Sequence, residues 1–420
     1  MKQSLKWRVF LGLGLTLLLT VFITGVIRAY TRGANDFSVF YEAWRLVLAG
    51  QGAKIYVESP DRFLYCPGFA WVLAPLALLP RAAALALWCA SKLGVLFFLI
   101  HKFSSFWSCS LDQPQNQKTQ QDRILSWGLC VWGIVGLSRP LLIDLEYGQV
   151  NLLILGTCVW GLGCHIQRAS KPFSIWFSWI LLGLIAAAKV FPLPLLFVPW
   201  FVTRGLSQRK LWSERVASMI GFLTGLLLPI LSEGVEGTLR LLQGWQEALL
   251  SKGLPLESHN QSFSAFLYHY LSGYPTRVLS EGVTPLFFGV SLLSLQSISL
   301  LSLAWSLLMM GMLLGWIISG SNHSAWKWIA VAIGLMIVPS HLVWKPYFVM
   351  SIPLAVYLIQ HTYESKSRFG LIILCLFFTG INFTGFDFLG HHWAASVEAA
   401  SILLMIHLGM LTLGARSSLS

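Results

Sequence analysis

Charged side chains stand at the ends of several apolar stretches of this sequence, where a membrane would make them costly. A charge at the midplane of a bilayer costs at least about 2.5–3.5 kcal/mol, so a cluster of charges near the ends of spans needs a reason. The members of this cluster are Asp36, Arg139, Asp144, Glu146, Lys189, His341 and Lys345. They come from distant parts of the chain but share one predicted membrane level. We expect them to line a single cavity.

Asp36 opens an amphipathic segment that follows the first apolar stretch. One interpretation makes it the N-cap of a helix, because Asp is favoured at that position. The other makes it a general base, a carboxylate near the lipid headgroups that removes a proton from an acceptor hydroxyl. The two interpretations are compatible, and we predict Asp36 as the catalytic residue.

The segment from Asp144 to Asn151 predicts a tight polar turn. Gln149 and Asn151 carry amides that can hold sugar hydroxyls, and Glu146 joins them as a candidate ligand of the sugar or the acceptor. Asp144 and Glu146 are spaced so that both could touch a divalent cation, but a solvated turn is the simpler explanation. We therefore predict no metal site and no cofactor.

Three cations, Lys189, Arg139 and Lys345, stand at the ends of predicted spans. A basic side chain that snorkels to the headgroups is the ordinary explanation. The alternative is a contact with the phosphate of a lipid donor, because a cation and a phosphate form strong charge-assisted hydrogen bonds. We predict the phosphate contact for all three.

The run from Ser258 to Ser262 is dense in hydrogen-bonding side chains. A helix N-cap at Ser258 or Asn260 explains part of this run but not the whole of it. His341 is either an ordinary satisfied polar residue or part of the site. The candidates for contact with the sugar or the acceptor in these regions are His259, Asn260, Gln261, His341, Trp344 and Tyr347.

The composition identifies the elements that must position these side chains. Of 420 residues, 56% are hydrophobic and 11% are charged, whereas soluble domains carry about 25% charged residues. Lipid must therefore be the solvent, and the apolar runs predict an all-α integral membrane protein of about twelve transmembrane helices with both termini in the cytoplasm. The predicted spans are 9–28, 82–103, 124–142, 149–166, 173–188, 190–203, 216–232, 300–319, 325–342, 347–361, 369–384 and 394–413.

Two long outer loops interrupt this pattern. The first, 29–80, contains an apolar segment over 66–80 that is too short to cross a bilayer, and we predict it to be re-entrant. The second loop covers 233–299. Amphipathic surface helices are predicted over 36–45, 244–251 and 262–271. We treat 1–420 as a single polytopic membrane domain.

The net charge of +12 does not indicate nucleic acid. The basic residues concentrate in loops that this topology places in the cytoplasm, which is the positive-inside pattern of membrane proteins. The seven cysteines show neither a disulfide framework nor metal-ligand spacing. We predict a multi-pass protein of the bacterial cytoplasmic membrane, with its site on the outer face and with membrane lipids, not nucleic acid, among its partners.

Several short motifs follow one another in a defined order. They are Asp36, Tyr65-Cys66-Pro67, Ala74-Pro75-Leu76-Ala77-Leu78-Leu79-Pro80, Gly148-Gln149-Val150-Asn151, Lys189-Val190-Phe191-Pro192, Asn260-Gln261-Ser262 and Pro339-Ser340-His341-Leu342-Val343-Trp344. Together they resemble glycosyltransferase family 87, the polyprenyl-phosphate-sugar-dependent enzymes of the GT-C superfamily that include the mycobacterial phosphatidylinositol mannoside mannosyltransferase. The chain departs from the usual pattern at Cys66 and at Lys345-Pro346.

The resemblance implies a GT-C fold, a catalytic aspartate in the first outer loop, which is Asp36 by position, and a carrier phosphate near Lys189. It implies inverting transfer of a hexose or pentose, with a mannose-like sugar favoured, from a polyprenyl-phosphate donor to a lipid-linked or glycan acceptor. A transporter or flippase of lipid-linked glycans is the main alternative, and a non-catalytic membrane scaffold is the other. Transport would favour a polar path through the membrane centre, where Lys92 stands nearly alone.

Overall fold

The computed structural model describes residues 2–58, 63–110, 119–167, 171–203, 205–251, 256–274, 276–277, 289–290 and 293–417. Within these ranges the chain is helical and contains no β-strand. The α-helices are α1 (Lys2–Arg32), α2 (Asn35–Leu48), α3 (Ile55–Glu58), α4 (Pro67–Leu73), α5 (Arg81–Ser110), α6 (Gln120–Val135), α7 (Ser138–Glu146), α8 (Asn151–Ile166), α9 (Pro172–Ala188), α10 (Val198–Phe201), α11 (Gln208–Leu227), α12 (Ile230–Leu250), α13 (Phe263–Leu271), α14 (Leu295–Ile318), α15 (Ala325–Leu335), α16 (Ile352–Glu364), α17 (Arg368–Asn382), α18 (Phe386–Ala399) and α19 (Ile402–Arg416).

Three of the described helices are each long and apolar enough to cross a membrane, namely Leu5–Arg32, Arg81–Trp107 and Leu295–Ile318. Three helix pairs with a short break raise this number to six if each pair forms one span. These pairs are α6 with α7, bent by 66°, α11 with α12, bent by 74°, and α17 with α18, bent by 95°. The helices make the chain a membrane-embedded protein, while the count of twelve crossings and the GT-C fold stay predictions.

Several predicted spans coincide with helices because each contains a continuous apolar run without an internal proline. The span 173–188 agrees with α9 to within one residue, and 369–384 agrees with α17 to within two. The spans 9–28 and 82–103 lie inside the longer helices α1 and α5. Continuous hydropathy is therefore a sufficient signal in these parts of the chain.

The predicted span 124–142 is wrong as a single helix, because α7 turns away from α6 by 66°. Pro140 has no backbone N–H, so it leaves the carbonyl of Gly136 without its helical partner. The side-chain Nδ2 of Asn382 donates to that carbonyl oxygen at 2.9 Å. A distant amide thus replaces the missing donor and stabilises the break.

Three further predicted spans are interrupted. The span 216–232 is wrong as a single helix, because it crosses the 74° bend between the end of α11 and the start of α12. The span 190–203 contains a 3₁₀ helix, Leu193–Phe197, followed by the four-residue α10, because its prolines remove backbone donors. The span 347–361 begins within a 3₁₀ helix, Lys345–Ser351, and becomes α-helical only in α16. In 190–203 and 347–361, a 3₁₀ helix therefore stands where the first part of an α-helix was predicted.

Two predicted spans near the C-terminal end also differ from the structure. The span 325–342 is too long, because α15 ends at Leu335, a few residues before Pro339. The span 394–413 is divided between α18 and α19 at Ser401, which has a left-handed φ of 54°. A residue in this conformation ends one helix and redirects the chain into the next.

The predicted surface helices are confirmed as helices, with altered bounds. The segment 36–45 lies in α2, which buries the aromatic face of Phe37, Phe40 and Trp44. The segment 262–271 corresponds to α13, and 244–251 forms the last part of the longer α12. The apolar segment 66–80 contains α4 and a following 3₁₀ turn.

The described residues fall into two compact units, and each is considered by itself. The first unit consists of 1–24, 96–144 and 255–420. The second unit consists of 25–95 and 145–254. The predicted site residues are divided between these two units.

The second unit is built on close packing of α9 against α11. A Cβ added at Gly183 would lie 2.0 Å from the carbonyl oxygen of Ser218, and one added at Gly221 would lie 1.9 Å from that of Ile180. Only glycine fits at such distances, and small residues at helix interfaces are the usual means of close approach in membrane proteins. This packing fixes the end of α9, where Lys189 stands.

The first unit has an aromatic core around Trp326, at the start of α15. The ring of Trp326 lies 4.9 Å from the ring of Phe103 and 5.5 Å from that of Phe106, both on α5. Its indole N–H donates to the side-chain oxygen of Gln360 at 2.7 Å. The polar group of this buried tryptophan thus has a hydrogen-bond partner. These contacts join α5, α15 and α16.

Candidate active site

Four predicted side chains of the second unit meet in one polar cluster, which we call the Asp36 cluster: Asp36, Gln149, Asn151 and Lys189. The side-chain Nε2 of Gln149 donates to Oδ2 of Asp36 at 2.5 Å. The Nζ of Lys189 donates to Oδ1 of Asn151 at 2.7 Å and to Oε1 of Gln149 at 3.5 Å. Gln149 therefore connects the carboxylate to the ammonium group.

Backbone hydrogen bonds and a glycine turn position Asp36 next to Gln149. The backbone N–H groups of Asp36 and Phe37 donate to the carbonyl of Tyr147 at 3.1 and 3.2 Å, which ties the start of α2 to the turn before Gln149. Gly148 occupies that turn with φ of 67°, and a Cβ there would lie 2.5 Å from the Cβ of Phe37. Glycine is thus required both by conformation and by space.

The remaining two members stand at helix ends. Asn151 is the first residue of α8, and Lys189 directly follows the last residue of α9 in an extended conformation. Pro192, three residues after Lys189, prevents continuation of the helix. The end of α9 therefore places Lys189 next to Asn151, at the start of α8.

The N-cap interpretation of Asp36 is wrong. The cap position of α2 is Ala34, with φ of 43°, and no side chain makes a capping hydrogen bond there. Asp36 lies in the first turn, where a negative charge is favoured by the helix dipole by about 0.3–1 kcal/mol. Its carboxylate accepts a hydrogen bond from the Gln149 amide instead of capping the helix.

The turn predicted from Asp144 to Asn151 is partly wrong, because Asp144 and Glu146 belong to helix α7. Both oxygens of Glu146 meet arginines of α1: Oε1 lies 2.7 Å from Nη1 of Arg32, and Oε2 lies 3.4 Å from Nη1 of Arg28. These two partners were missed in the sequence, since nothing in the spacing links them to Glu146. The carboxylate is thus held by two cations.

Tyr65 is a further member of the Asp36 cluster that the residue-level reasoning missed. Its hydroxyl donates to Oε1 of Gln149 at 3.3 Å, and its ring centre lies 5.4 Å from Nζ of Lys189. The Tyr65 ring stacks on Phe69 at 4.9 Å. The signal was the motif Tyr65-Cys66-Pro67, which entered only through the family resemblance.

The two other predicted phosphate ligands lie in the first unit and face carboxylates. Nη1 of Arg139 lies 2.7 Å from Oδ2 of Asp387, and Lys345 forms an ion pair with Glu398. Burial lowers the pKa of Lys345, and the neighbouring Glu398 carboxylate opposes this change. Asp387 and Glu398 were missed because they are far away in the sequence.

Asn260 and Gln261 bind backbone groups of the first unit. The Oδ1 of Asn260 accepts from the backbone N–H groups of Ser262 and Val343, both at 3.1 Å. The Nε2 of Gln261 donates to the carbonyl of Glu398 at 2.7 Å. Asn260 thus joins the segment before α13 to the segment before α16, and Gln261 joins it to α18, so backbone fixation accounts for their present contacts.

The N-cap predicted at Ser258 or Asn260 is wrong, because the cap of α13 is Ser262, whose Oγ accepts from the backbone N–H of Ala265 at 3.1 Å. His259 lies beside Glu257, with 3.1 Å between Nε2 and Oε2, and its ring centre is 6.2 Å from that of Trp344.

The two remaining candidates for contact with the sugar or the acceptor differ in exposure. His341 is exposed, whereas Tyr347 is buried in the first unit.

The described part of the chain contains no group of three or more His, Cys, Asp and Glu side chains placed to hold a metal ion. The Asp36 cluster instead offers a carboxylate, two amides, a phenol and an ammonium group. Such a set can accept a proton, hold hydroxyls and stabilise an anion. The Asp36 cluster is therefore a candidate active site.

The chain is a membrane-embedded helical protein. Its polar cluster contains the types of side chain that transferases use. The sequence model of glycosyltransferase family 87 matches residues 63–339. The match covers more than half of the chain, and the protein belongs to this family. It is accordingly a glycosyltransferase, an enzyme that acts on a sugar donor and an acceptor.

The family match includes Tyr65, Gln149, Asn151 and Lys189, whereas Asp36 lies before its first residue. Neither the comparison with curated proteins nor the comparison with solved structures returned a match. The assignment of individual roles therefore depends on the contacts described above.

Proposed function

We propose that the protein transfers a hexose or pentose, mannose-like by preference, from a polyprenyl-phosphate donor to a lipid-linked or glycan acceptor. The reaction takes place at the outer face of a bacterial cytoplasmic membrane and inverts the anomeric configuration. The contact that carries this proposal is the 2.5 Å hydrogen bond from Gln149 to Asp36, in the same cluster as Lys189. It supports a positioned base close to a cation.

Asp36 acts as the general base. Its carboxylate takes the proton of the acceptor hydroxyl while the hydroxyl oxygen attacks the anomeric carbon from the face opposite the donor phosphate. The bond from the anomeric carbon to the phosphate oxygen breaks, and the electron pair leaves with the phosphate. A single displacement of this kind inverts the configuration, and a positioned base contributes about 10²–10⁴-fold to the rate.

Lys189 stabilises the departing phosphate. Its ammonium group donates to the side-chain oxygens of Gln149 and Asn151, which hold it in position. A positive group aimed at developing negative charge lowers the barrier most when it is already held in position. The Tyr65 ring at 5.4 Å and the Asn151 oxygen at 2.7 Å hold it there.

Gln149 orients Asp36 rather than the sugar. One end of its amide donates to the carboxylate, and the other end accepts from Tyr65 and Lys189. All the polar atoms of this side chain are thus used within the cluster. Asn151 retains an Nδ2 group without a hydrogen-bond partner among the described residues, and we assign it to a sugar hydroxyl.

Arg139 and Lys345 of the first unit stay proposed phosphate ligands. Each is paired with a carboxylate in this structure, so each would have to exchange that partner for phosphate.

Substitution of Asp36 by Asn tests the proposed base. The purified full-length protein is reconstituted with a polyprenyl-phosphate-linked mannose and a membrane acceptor, and sugar transfer is followed. Asp36→Asn is expected to lower the rate by about 10²–10⁴-fold. Glu42→Gln, on the exposed face of the same helix, is the matched control and is expected to retain the rate. Equal rates for Asp36→Asn and the wild type would refute the proposed base.

A further inference from the structure

The first unit contains a long apolar groove that shares no lining residue with the Asp36 cluster. It has a volume of about 740 Å³ and is bounded by α1, α6, α16 and α17. Its apolar lining includes Phe10, Trp132, Leu371, Leu374 and Phe378. Its described walls reach from Arg368 to Phe383, along the whole of α17.

The length of this groove suits a lipid chain. Helix α17 has 15 residues, which corresponds to about 22 Å at 1.5 Å per residue. The hydrocarbon core of a bilayer is about 30 Å thick, so one acyl chain occupies about half of it. The groove is therefore long enough for a complete acyl chain lying parallel to α17.

One end of the groove is basic. Lys366 and Arg368 line it there, and both side chains are exposed. The ring of Trp7 lies 6.0 Å from the ring of Tyr363 at the same end. Tryptophan and tyrosine are enriched where membrane spans meet the headgroups, so these rings mark the level of an interface.

The charge at this end is not balanced by a carboxylate that lines the groove. The residues that line the described groove include neither Asp nor Glu. Glu364, the nearest carboxylate along the chain, accepts from the indole N–H of Trp107. Two further cations, Lys6 and Arg8, flank Trp7 in α1. The basic end is thus complementary to an anion.

The opposite end of the groove carries Asn382, the last residue of α17. Its Oδ1 accepts from the backbone N–H of Arg139 at 2.9 Å. The basic end is therefore one helix length, about 22 Å, away from the residue assigned to the donor phosphate within this unit. A headgroup at Lys366 and Arg368 is not a donor phosphate in position for transfer.

We infer that this groove is a binding site for an anionic phospholipid, with the phosphate at Lys366 and Arg368 and one acyl chain along α17. Basic pockets between membrane helices are a known form of recognition of anionic lipid headgroups. The inference depends on the membrane-embedded character of the chain and not on the proposed transfer reaction. Lipid binding can accordingly be measured without an acceptor or a donor.

The test is native mass spectrometry of the full-length protein in neutral detergent, titrated with phosphatidylglycerol or with phosphatidylcholine of the same acyl chains. The wild type is expected to retain phosphatidylglycerol more strongly. Lys366→Gln with Arg368→Gln is expected to weaken phosphatidylglycerol binding by about 30-fold, since each basic residue near the headgroups contributes separately. The matched control, Lys171→Gln with Arg209→Gln, removes two exposed cations of the second unit and is expected to remain within twofold.

A second variant tests the groove without a change in charge. Cys375 lines the groove and is exposed, so Cys375→Trp is expected to obstruct the acyl chain and to lower phosphatidylglycerol retention. Equal retention of both phospholipids by the wild type would overturn the inference, as would unchanged phosphatidylglycerol binding in the doubly substituted variant. Preferential binding of polyprenyl phosphate that depends on Lys366 and Arg368 would also overturn it, because the groove would then hold a carrier lipid.

Discussion

The three cations predicted to bind the donor phosphate differ in their contacts. In the second unit, Lys189 donates to the neutral side-chain oxygens of Gln149 and Asn151. In the first unit, Arg139 and Lys345 face carboxylates. Removal of Lys189 therefore takes a donor from two amide oxygens, whereas removal of Arg139 or Lys345 takes the counter-ion from a carboxylate.

This difference indicates different roles for Lys189 and Lys345, which the sequence alone does not distinguish. Lys189 and Lys345 are both lysines at span ends, and both were expected at the phosphate. Removal of one member of a buried ion pair is costly because it leaves an uncompensated charge. We therefore expect Lys345 to matter first for stability and Lys189 first for catalysis.

The largest effect on stability is expected for Lys345→Met. The side chains of Lys345 and Glu398 are only 9% and 12% exposed, so the variant leaves a nearly buried carboxylate without its partner. The free energy of unfolding should fall by about 3 kcal/mol, which is measured as a lower midpoint of thermal unfolding in detergent. Adding Glu398→Gln should restore most of the loss.

The matched control for this prediction is the exposed pair of Arg240 and Glu236, at 3.1 Å with side chains 72% and 85% exposed. Arg240→Met should change the free energy of unfolding by less than about 1 kcal/mol. An unaltered unfolding midpoint in Lys345→Met would contradict the expected contribution of this ion pair to stability.

The next effect is expected for Lys189→Met, which removes the cation of the Asp36 cluster. A hydrogen bond to a charged group contributes about 1.5–3 kcal/mol, so kcat/KM for the donor should fall by about 10- to 100-fold. Lys54→Met, which removes an exposed lysine of the same unit, is the control. A change of less than twofold in Lys189→Met would mean that the phosphate binds elsewhere.

A smaller effect is expected for Gln149→Glu, which places a second carboxylate beside Asp36. Like charges disfavour ionisation, so Asp36 stays protonated to a higher pH and the acid limb of the pH–rate profile moves upward. Activity should be low at acidic pH and recover as the pH rises. Gln149→Leu removes the amide without adding a charge, and its acid limb should move less. Identical profiles for the wild type and Gln149→Glu would exclude Gln149 as a positioning residue.

Local patterns were sufficient for the elements that carry the Asp36 cluster. Helices α2, α8 and α9 lie close to their predicted bounds because their apolar runs are continuous or strongly amphipathic. Asp36 and Lys189 both contact Gln149, so these two predicted residues lie in one cluster, while their roles stay predictions. The polar residues at span ends were a useful signal here.

Partners from distant segments could not be read from the sequence. The pairing of Glu146 with Arg28 and Arg32, or of Lys345 with Glu398, depends on how helices pack, and no spacing encodes it. Pro140 in the sequence indicates the bend at Gly136. The hydrogen bond from Asn382 to the Gly136 carbonyl is again a long-range contact. Prediction therefore succeeds for elements and fails for the partners that decide the role of each charge.

The most direct test of the central claim is the single-turnover rate of Asp36→Asn loaded with a saturating polyprenyl-phosphate-sugar donor. If Asp36 is the base, the variant binds the donor as the wild type does, while the rate of sugar transfer falls by at least about 100-fold. A transfer rate equal to that of the wild type would contradict the account.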